Sequence, residues 1–110
     1  MMISELGSSL GYDLIQSKFE DRPLCGGFTS DLLSDVMGKA KTDSVLITIQ
    51  AHKNTVAVSS LAGICAIVVC SNRPIPDDML SAATDEAIAV FRTPHNQFEV
   101  SGIVWNALKG

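Results

Sequence analysis

Residues 45–54 read VLITIQAHKN, residues 64–73 read ICAIVVCSNR, and residues 87–96 read AIAVFRTPHN. Each segment starts with a short apolar run and ends in a polar cluster. Such runs, separated by stretches long enough for a helix, are typical of parallel β-strands that alternate with α-helices. The repetition predicts strands that end at one common edge of a sheet, where ligands of such sheets usually bind.

The segments around these runs complete a predicted α/β architecture. Further strands are predicted over residues 12–19 and 24–28, and helices over residues 3–10, 29–40 and 54–61, after Pro76 and after Asn96. Crossovers between parallel strands are right-handed, so the helices cover both faces of the sheet. The sequence therefore predicts a single domain over residues 1–110, a three-layer α/β/α fold around a mainly parallel sheet of about five strands.

Three of the predicted helices carry apolar residues along one side. The helix over residues 29–40 is expected to begin at Thr29 or Ser30, either of which is a common cap. The apolar sides consist of Leu32, Leu33, Val36, Met37 and Ala40; of Val56, Ala57, Ser60 and Leu61; and of Phe98, Trp105 and Leu108.

Composition excludes several classes of protein. The chain of 110 residues is 46% hydrophobic and 18% charged, with a net charge of −4, which argues against disorder and against binding of nucleic acid. The longest apolar stretch, residues 62–70, is far shorter than the roughly 20 residues that cross a bilayer. The first five residues lack the features of a secretion signal, so we expect a cytoplasmic protein. Three cysteines without a C-x-x-C pair indicate reduced thiols.

Polar side chains gather where the three predicted parallel strands end. Helix amino termini at this edge present free amides, and the basic residues His52, Lys53 and Arg73 add donors, so the edge favours an anionic ligand such as a nucleotide or another phosphorylated metabolite. Asn54, Ser71, Thr93 and Asn96 could instead cap helices, and the sequence does not decide between capping and ligand binding. The candidate ligand-binding residues are Thr48, Gln50, His52, Asn54, Ser71, Asn72, Arg73, Thr93, His95 and Asn96.

No catalytic constellation is complete. Gly38-Lys39 lacks the leading glycine and the following hydroxyl of a phosphate-binding loop, and no spaced nucleophile accompanies His52. His52, His95 and Cys70 could form a zinc ligand set, but no local ligand spacing supports it. Asp31 and Asp35 are four residues apart on a predicted helix, where a solvated or partner-binding face is favoured over acid-base work. We predict no catalytic residue, no metal and no cofactor.

Three longer segments carry a resemblance to a known family. They are residues 26–40 (GGFTSDLLSDVMGKA), residues 47–61 (ITIQAHKNTVAVSSL) and residues 93–98 (TPHNQF). Together they resemble the small stand-alone members of the DRTGG-domain family. Cys70-Ser71-Asn72 stands where many relatives have Thr-Gly-Gly, and His52 and Lys53 stand where many have an arginine.

This resemblance implies a single DRTGG-like domain over residues 1–110. DRTGG domains are similar to the amino-terminal domain of HPr kinase, and they occur beside pairs of CBS domains in some pyrophosphatases and in some phosphate acetyltransferases. They are regarded as regulatory or assembly parts, because catalysis in those proteins belongs to other domains. The resemblance thus implies a regulatory role and no enzymatic activity.

Two hypotheses about function follow. In the first, the chain is a non-catalytic regulatory domain that senses a nucleotide or another anionic metabolite at the strand ends. In the alternative, it is a ligand-free, homo-oligomerising protein-interaction module whose surface lies along SDLLSDVM at residues 30–37. We expect a homo-oligomer, with a dimer favoured, and a protein partner in addition; neither nucleic acid nor a membrane is a predicted partner.

Overall fold

Strands and helices follow one another in the order that the sequence predicts. The computed structural model describes residues 1–110. The strands are β1 (Asp13–Gln16), β2 (Gly26–Thr29), β3 (Ser44–Thr48), β4 (Ala66–Val69) and β5 (Ala89–Arg92). The helices are α1 (Glu5–Ser8), α2 (Leu33–Lys39), α3 (Lys53–Ala62), α4 (Asp77–Asp85) and α5 (Gln97–Lys109).

One sheet contains all five strands in the order β1-β5-β4-β3-β2. The strands β2, β3, β4 and β5 run parallel to one another, and β1 pairs antiparallel with β5 at one edge. The predicted mainly parallel sheet of about five strands is thereby confirmed. Every residue of β3 and β4 is buried, which is why the sequence shows these strands as unbroken apolar runs rather than as an alternation.

Helices cover both faces of the sheet and form the predicted three layers. Side chains alternate along β3, so that Val45 and Ile47 point to one face and Leu46 points to the other. The first face packs against α1 and α5, where Leu6 and Val104 are buried. The second face packs against α2, α3 and α4, whose buried residues include Val36, Val56, Met79 and Ala83. No helix is both long enough and apolar enough to span a membrane.

Helix α2 begins later than predicted. Thr29 is the last residue of β2 and pairs with Ile47 of β3, so its backbone belongs to the sheet. The Ser30 hydroxyl accepts a hydrogen bond from the Leu32 amide at 3.0 Å within the loop, and no side chain caps the helix. The prediction that Thr29 or Ser30 caps this helix was wrong, because strand pairing takes up the residues that were assigned to its first turn.

The buried face of α3 is also displaced from the predicted one. This helix buries Thr55, Val56 and Ser59 and exposes Leu61. The Thr55 hydroxyl donates to the Gln50 carbonyl at 3.0 Å. A hydroxyl that is bonded in this way is buried at little cost, so a polar residue occupies a position that hydropathy assigned to solvent.

Helices α2 and α5 expose part of the apolar sides that were predicted for them. In α2 the buried residue is Val36, whereas Met37 is exposed. In α5 the buried residues are Val100 and Val104, and both Phe98 and Trp105 lie largely in solvent. The aromatic side of α5 therefore faces away from the sheet.

Candidate functional site

The carboxyl ends of the parallel strands lie side by side. We call this end of the sheet the strand-end edge, as distinct from its two edge strands, β1 and β2. Its loops cover residues 30–32, 49–52, 70–76 and 93–96. Two of these loops are joined by their backbones: the Ser71 amide donates to the His95 carbonyl at 2.8 Å, and the Asn72 amide donates to the Thr93 carbonyl at 2.9 Å. Four of the predicted site residues are thereby brought together.

A tight turn at residues 70–73 follows the end of β4. Ser71 and Asn72 have φ angles of 60° and 51°, and the Arg73 amide donates to the Cys70 carbonyl at 3.4 Å. Consecutive positive φ angles are the conformation that glycine adopts most readily. Ser71 and Asn72 adopt this conformation without glycine.

Asp31 links three parts of the strand-end edge. Its Oδ1 atom accepts hydrogen bonds from the Thr48 hydroxyl at 2.9 Å, from the Ile49 amide at 2.9 Å and from the Gln97 side-chain amide at 3.0 Å. These bonds join the loop after β2 to the end of β3 and to the first turn of α5. Asp31 precedes α2, so the predicted pairing of Asp31 and Asp35 on one helix was wrong; strand β2 moves the start of the helix to Leu33.

Three of the ten predicted site residues use their side chains in hydrogen bonds to nearby backbone amides. Thr48 is fully buried, and its hydroxyl also accepts from the Gln50 amide at 3.0 Å. Thr93 is buried and its hydroxyl accepts from the His95 amide at 3.2 Å. Asn96 caps α5 by accepting from the Glu99 amide at 2.9 Å. The capping alternative is thus confirmed for Asn96.

The other predicted residues lie on the surface of the edge. Gln50 and His95 are half-buried. His52 precedes α3 and makes no capping hydrogen bond, and Asn54 lies inside that helix rather than at its cap. The exposed members are His52, Asn54, Ser71, Asn72 and Arg73.

Three buried polar atoms at this edge have no hydrogen-bond partner within the chain: Tyr12 Oη, Arg92 Nε and His95 Nδ1. Tyr12 directly precedes β1, whose first residue pairs with Arg92 at the end of β5. The rings of Tyr12 and His95 meet edge to face, with 6.4 Å between their centroids. Buried polar atoms without partners are rare in folded proteins, and here three of them belong to residues at the strand ends.

Tyr12 remains protonated at neutral pH. Burial raises the pKa of its phenol, and the nearby Cys70 and Glu99 raise it further. The phenol therefore presents an O–H donor as well as acceptor lone pairs at the strand-end edge. The sequence placed Arg92 at the strand ends, within residues 92–96 of the predicted site, but it gave no signal for Tyr12, which reaches this edge only because β1 pairs antiparallel with β5.

Cys70 is a buried residue of this edge. Its side chain is fully buried, and burial raises the pKa of the thiol to about 11, with the Asp31 carboxylate contributing. The thiol is therefore protonated at neutral pH. No group of three or more His, Cys, Asp or Glu side chains is arranged to hold a metal ion.

The cysteines are expected to differ sharply in reactivity. Cys25 is exposed, whereas Cys65 and Cys70 are buried and burial raises the pKa of both thiols. One thiol per folded chain should react quickly with an aromatic disulfide reagent at pH 8, and all three should react after unfolding. The Cys25→Ser variant should lack the fast phase; three equally fast thiols in the folded protein would contradict this assignment.

Neither a comparison with models of protein families nor one with curated proteins finds a match. Among solved structures, the fold is similar to the CBS and DRTGG domains of the regulatory region of Clostridium perfringens pyrophosphatase, a structure that contains the activator diadenosine tetraphosphate. The TM-score is 0.73 at 13% identity, over 93% of this chain and 45% of the other. The chain thus spans less than half of the length of that region, and the likeness supports a DRTGG-like fold.

Proposed function

We propose that this chain is a regulatory domain that binds a nucleotide or another anionic metabolite at the strand-end edge. The observation that carries the proposal is the set of three buried, unpaired polar atoms on Tyr12, Arg92 and His95. They offer hydrogen-bonding capacity that the chain itself does not use. The fold supports a regulatory role, since its structural neighbour is a regulatory region that binds a nucleotide activator.

Helix α3 provides the amino terminus that best suits an anion. Its first turn contains Lys53 and no acidic residue, and no side chain occupies its free amides. By contrast, Asp77 and Asp78 stand in the first turn of α4, and the first turn of α5 is closed by a capping box. Because a helix amino terminus carries partial positive charge, we place the phosphate of the ligand between α3 and the basic side chains of His52 and Arg73.

The proposed role is non-catalytic and requires no cofactor. Gly38 and Lys39, the pair that resembles part of a phosphate-binding loop, lie in the last turn of α2. Lys39 there forms an ion pair with Asp35 at 3.0 Å. A phosphate-binding loop instead follows a strand and precedes a helix, so this pair does not serve as one.

The proposal predicts stabilisation of the folded chain by its ligand. Thermal unfolding is measured with a panel of nucleotides, dinucleoside polyphosphates and phosphorylated metabolites. A ligand at a hundred times its dissociation constant adds about 2.7 kcal/mol to the free energy of unfolding, a rise of roughly 10 °C in Tm for a domain of this size. His52→Ala and Arg73→Ala should each remove most of this shift.

Lys41→Ala is the matched control for these variants. Like Arg73→Ala, it removes one exposed positive charge, but from the loop between α2 and β3, at the opposite end of the strands. The ligand should stabilise this variant as it does the original chain. The proposal fails if no member of the panel raises Tm, or if the shift persists in both His52→Ala and Arg73→Ala.

A second candidate function is that of a ligand-free, homo-oligomerising interaction module. The observation that favours it is the exposure of apolar side chains on two helices: Leu32 and Met37 at α2, and Phe98 and Trp105 on α5. Analytical ultracentrifugation over a range of concentrations tests it. A strict monomer at the highest concentration would reject this function while leaving the ligand-binding one intact.

A further inference from the structure

The outer face of α5 carries an aromatic stripe. Phe98 is 86% exposed and Trp105, the one tryptophan of the chain, is 64% exposed. They are seven residues apart with Gly102 between them, so all three lie on one side of the helix. An open apolar depression runs along this side, lined by Phe98, Gly102, Ile103 and Trp105 together with polar neighbours. Exposed apolar surfaces of this kind mark sites of association.

Gly102 has no role within a single chain. A Cβ atom at this position would meet no atom within 4 Å, and its φ angle is not positive. Glycine weakens the interior of a helix relative to alanine. Gly38 in α2 is equally open, but Gly102 lies between two exposed aromatic side chains, which points to a reason outside the chain. Close approach of another backbone is such a reason, since it requires a position without a side chain.

We propose that α5 packs against α5 of a second copy of this chain, antiparallel, around a two-fold axis that passes beside Gly102. The arrangement of the stripe is self-complementary. Phe98 and Trp105 are equally far from the midpoint between Ser101 and Gly102, so the two-fold axis brings Phe98 of each copy next to Trp105 of the other. A two-fold interface requires this kind of self-matching surface.

The charges of α5 also favour an antiparallel partner of the same sequence. Glu99 lies in the first turn and Lys109 in the last turn. Antiparallel pairing opposes the two helix dipoles and turns the acidic first turn of one helix toward the basic last turn of the other. A parallel arrangement would instead place like charges together.

The surface around Trp105 continues to the free edge of the sheet. Beyond the stripe, Trp105 lines a depression together with Gly26 and Gly27 of β2, a strand that pairs only with β3. The interface is therefore wider than one helix. We expect a reversible dimer with a dissociation constant in the micromolar range. This dimer does not depend on ligand binding at the strand-end edge.

Sedimentation from micromolar to millimolar concentration tests the proposal on the complete chain. The original chain should change from monomer to dimer, and the emission of its single tryptophan should shift to the blue as Trp105 leaves water. Trp105→Glu should weaken association roughly 100-fold or more, as expected for a central aromatic residue. Gly102→Ala, which keeps Trp105 as the reporter, should weaken association by about tenfold because the added methyl groups separate the helices.

Two variants of α2 are the matched controls. Gly38 is the other helical glycine at which a Cβ would meet no atom within 4 Å, so Gly38→Ala makes the same chemical change on another surface. Met37→Glu adds a charge at an exposed position of α2. Both should dimerise like the original chain, with folding of every variant confirmed by circular dichroism.

Each other outcome would overturn the proposal. A monomer at millimolar concentration, a dimer that survives Trp105→Glu, or a dimer without a shift of the tryptophan emission would each exclude this interface. Weakening by Met37→Glu and not by Trp105→Glu would assign association to α2. The expected result, loss of association in Trp105→Glu with unchanged ligand-induced stabilisation, would support this interface and leave the proposed regulatory function standing.

Discussion

Replacing Asp31 with alanine is expected to lower the free energy of unfolding by about 3 kcal/mol, because three donors lose a charged acceptor at once. The hydroxyl of Thr48 is fully buried and cannot turn to water. Ile49 directly follows β3, and its amide loses its hydrogen bond to the Asp31 carboxylate. Gln97 loses the contact that holds the first turn of α5 to the loop after β2. Urea unfolding, followed by circular dichroism, measures the change.

Asp31→Asn separates charge from hydrogen bonding. An asparagine oxygen can still accept from these donors, but neutral hydrogen bonds are about half as strong as charge-assisted ones. We expect a loss of about 1.5 kcal/mol, midway between the original chain and Asp31→Ala. Equal losses in the two variants would show that the carboxylate contributes through its charge alone.

Asp35→Ala is the matched control for Asp31→Ala. Its carboxylate forms an ion pair with Lys39, four residues along α2, and the Lys39 side chain is largely in solvent. Exposed pairs of this kind contribute about 0.5 kcal/mol or less. The two aspartates are four residues apart in the sequence, yet the loss of unfolding free energy should be several times larger for Asp31→Ala than for Asp35→Ala. A similar loss in both variants would contradict the assigned role of Asp31.

The fold was predictable because its central strands are buried on both faces. Such strands appear in the sequence as unbroken apolar runs, and each run is followed by a polar loop and a helix. The direction of β1 could not be predicted in this way. Leu14 and Ile15 of β1 are both partly exposed, so the strand shows neither an apolar run nor a clean alternation. Its antiparallel pairing with β5 depends on contacts far along the chain.

Helix faces were less predictable than helix positions. Hydropathy assigns Thr55 to solvent, but a local carbonyl satisfies its hydroxyl and allows it to be buried. Hydropathy also assigns Phe98 and Trp105 to the core, whereas the smaller Val100 and Val104 fill the space against the sheet. Local bonding and the available volume decide these cases, and neither can be read from the hydropathy of one segment.

The location of the candidate site followed from topology, but its central residues did not. Parallel strands place their ends together whatever the loops contain, so the strand-end edge could be predicted from three apolar runs. Asp31 could not, since its partners Thr48, Ile49 and Gln97 are 17, 18 and 66 residues away in the sequence. Tyr12 likewise reaches the edge only because β1 lies beside β5.

The second large effect is expected from Gly63→Ala, at the end of α3. Gly63 has a φ angle of 79°, and the Ile64 amide donates to the Ser59 carbonyl at 2.9 Å, the bond that closes a helix with a left-handed residue. A Cβ atom here would lie 3.0 to 3.1 Å from three atoms of Thr42, one of them in the backbone. Left-handed strain costs roughly 1–2 kcal/mol, and the contact adds to it, so we expect a total loss of about 3 kcal/mol.

Thr42 cannot move aside easily, which is why the contact matters. The neighbouring Asp43 amide donates to the Gly63 carbonyl at 2.7 Å, and Asp43 itself has a φ angle of 61°. The Asp43 carboxylate also forms an ion pair with Arg22 at 3.2 Å. The two backbone segments are thus tied together at the position where the methyl group would enter. A loss near 1 kcal/mol in urea unfolding would mean that this segment yields and only the left-handed strain remains.

Ala87→Gly is the opposite substitution in the same kind of turn. Ala87 follows α4 with a φ angle of 54°, and the Ile88 amide donates to the Ala83 carbonyl at 3.0 Å, as Ile64 does to Ser59 after α3. Here alanine carries the strain, so glycine should raise the free energy of unfolding by about 1 kcal/mol after the greater entropy of the unfolded chain is counted. A loss of stability in Gly63→Ala together with a gain in Ala87→Gly would establish the left-handed backbone as the cause, because a general preference for alanine would give a gain in the first and a loss in the second.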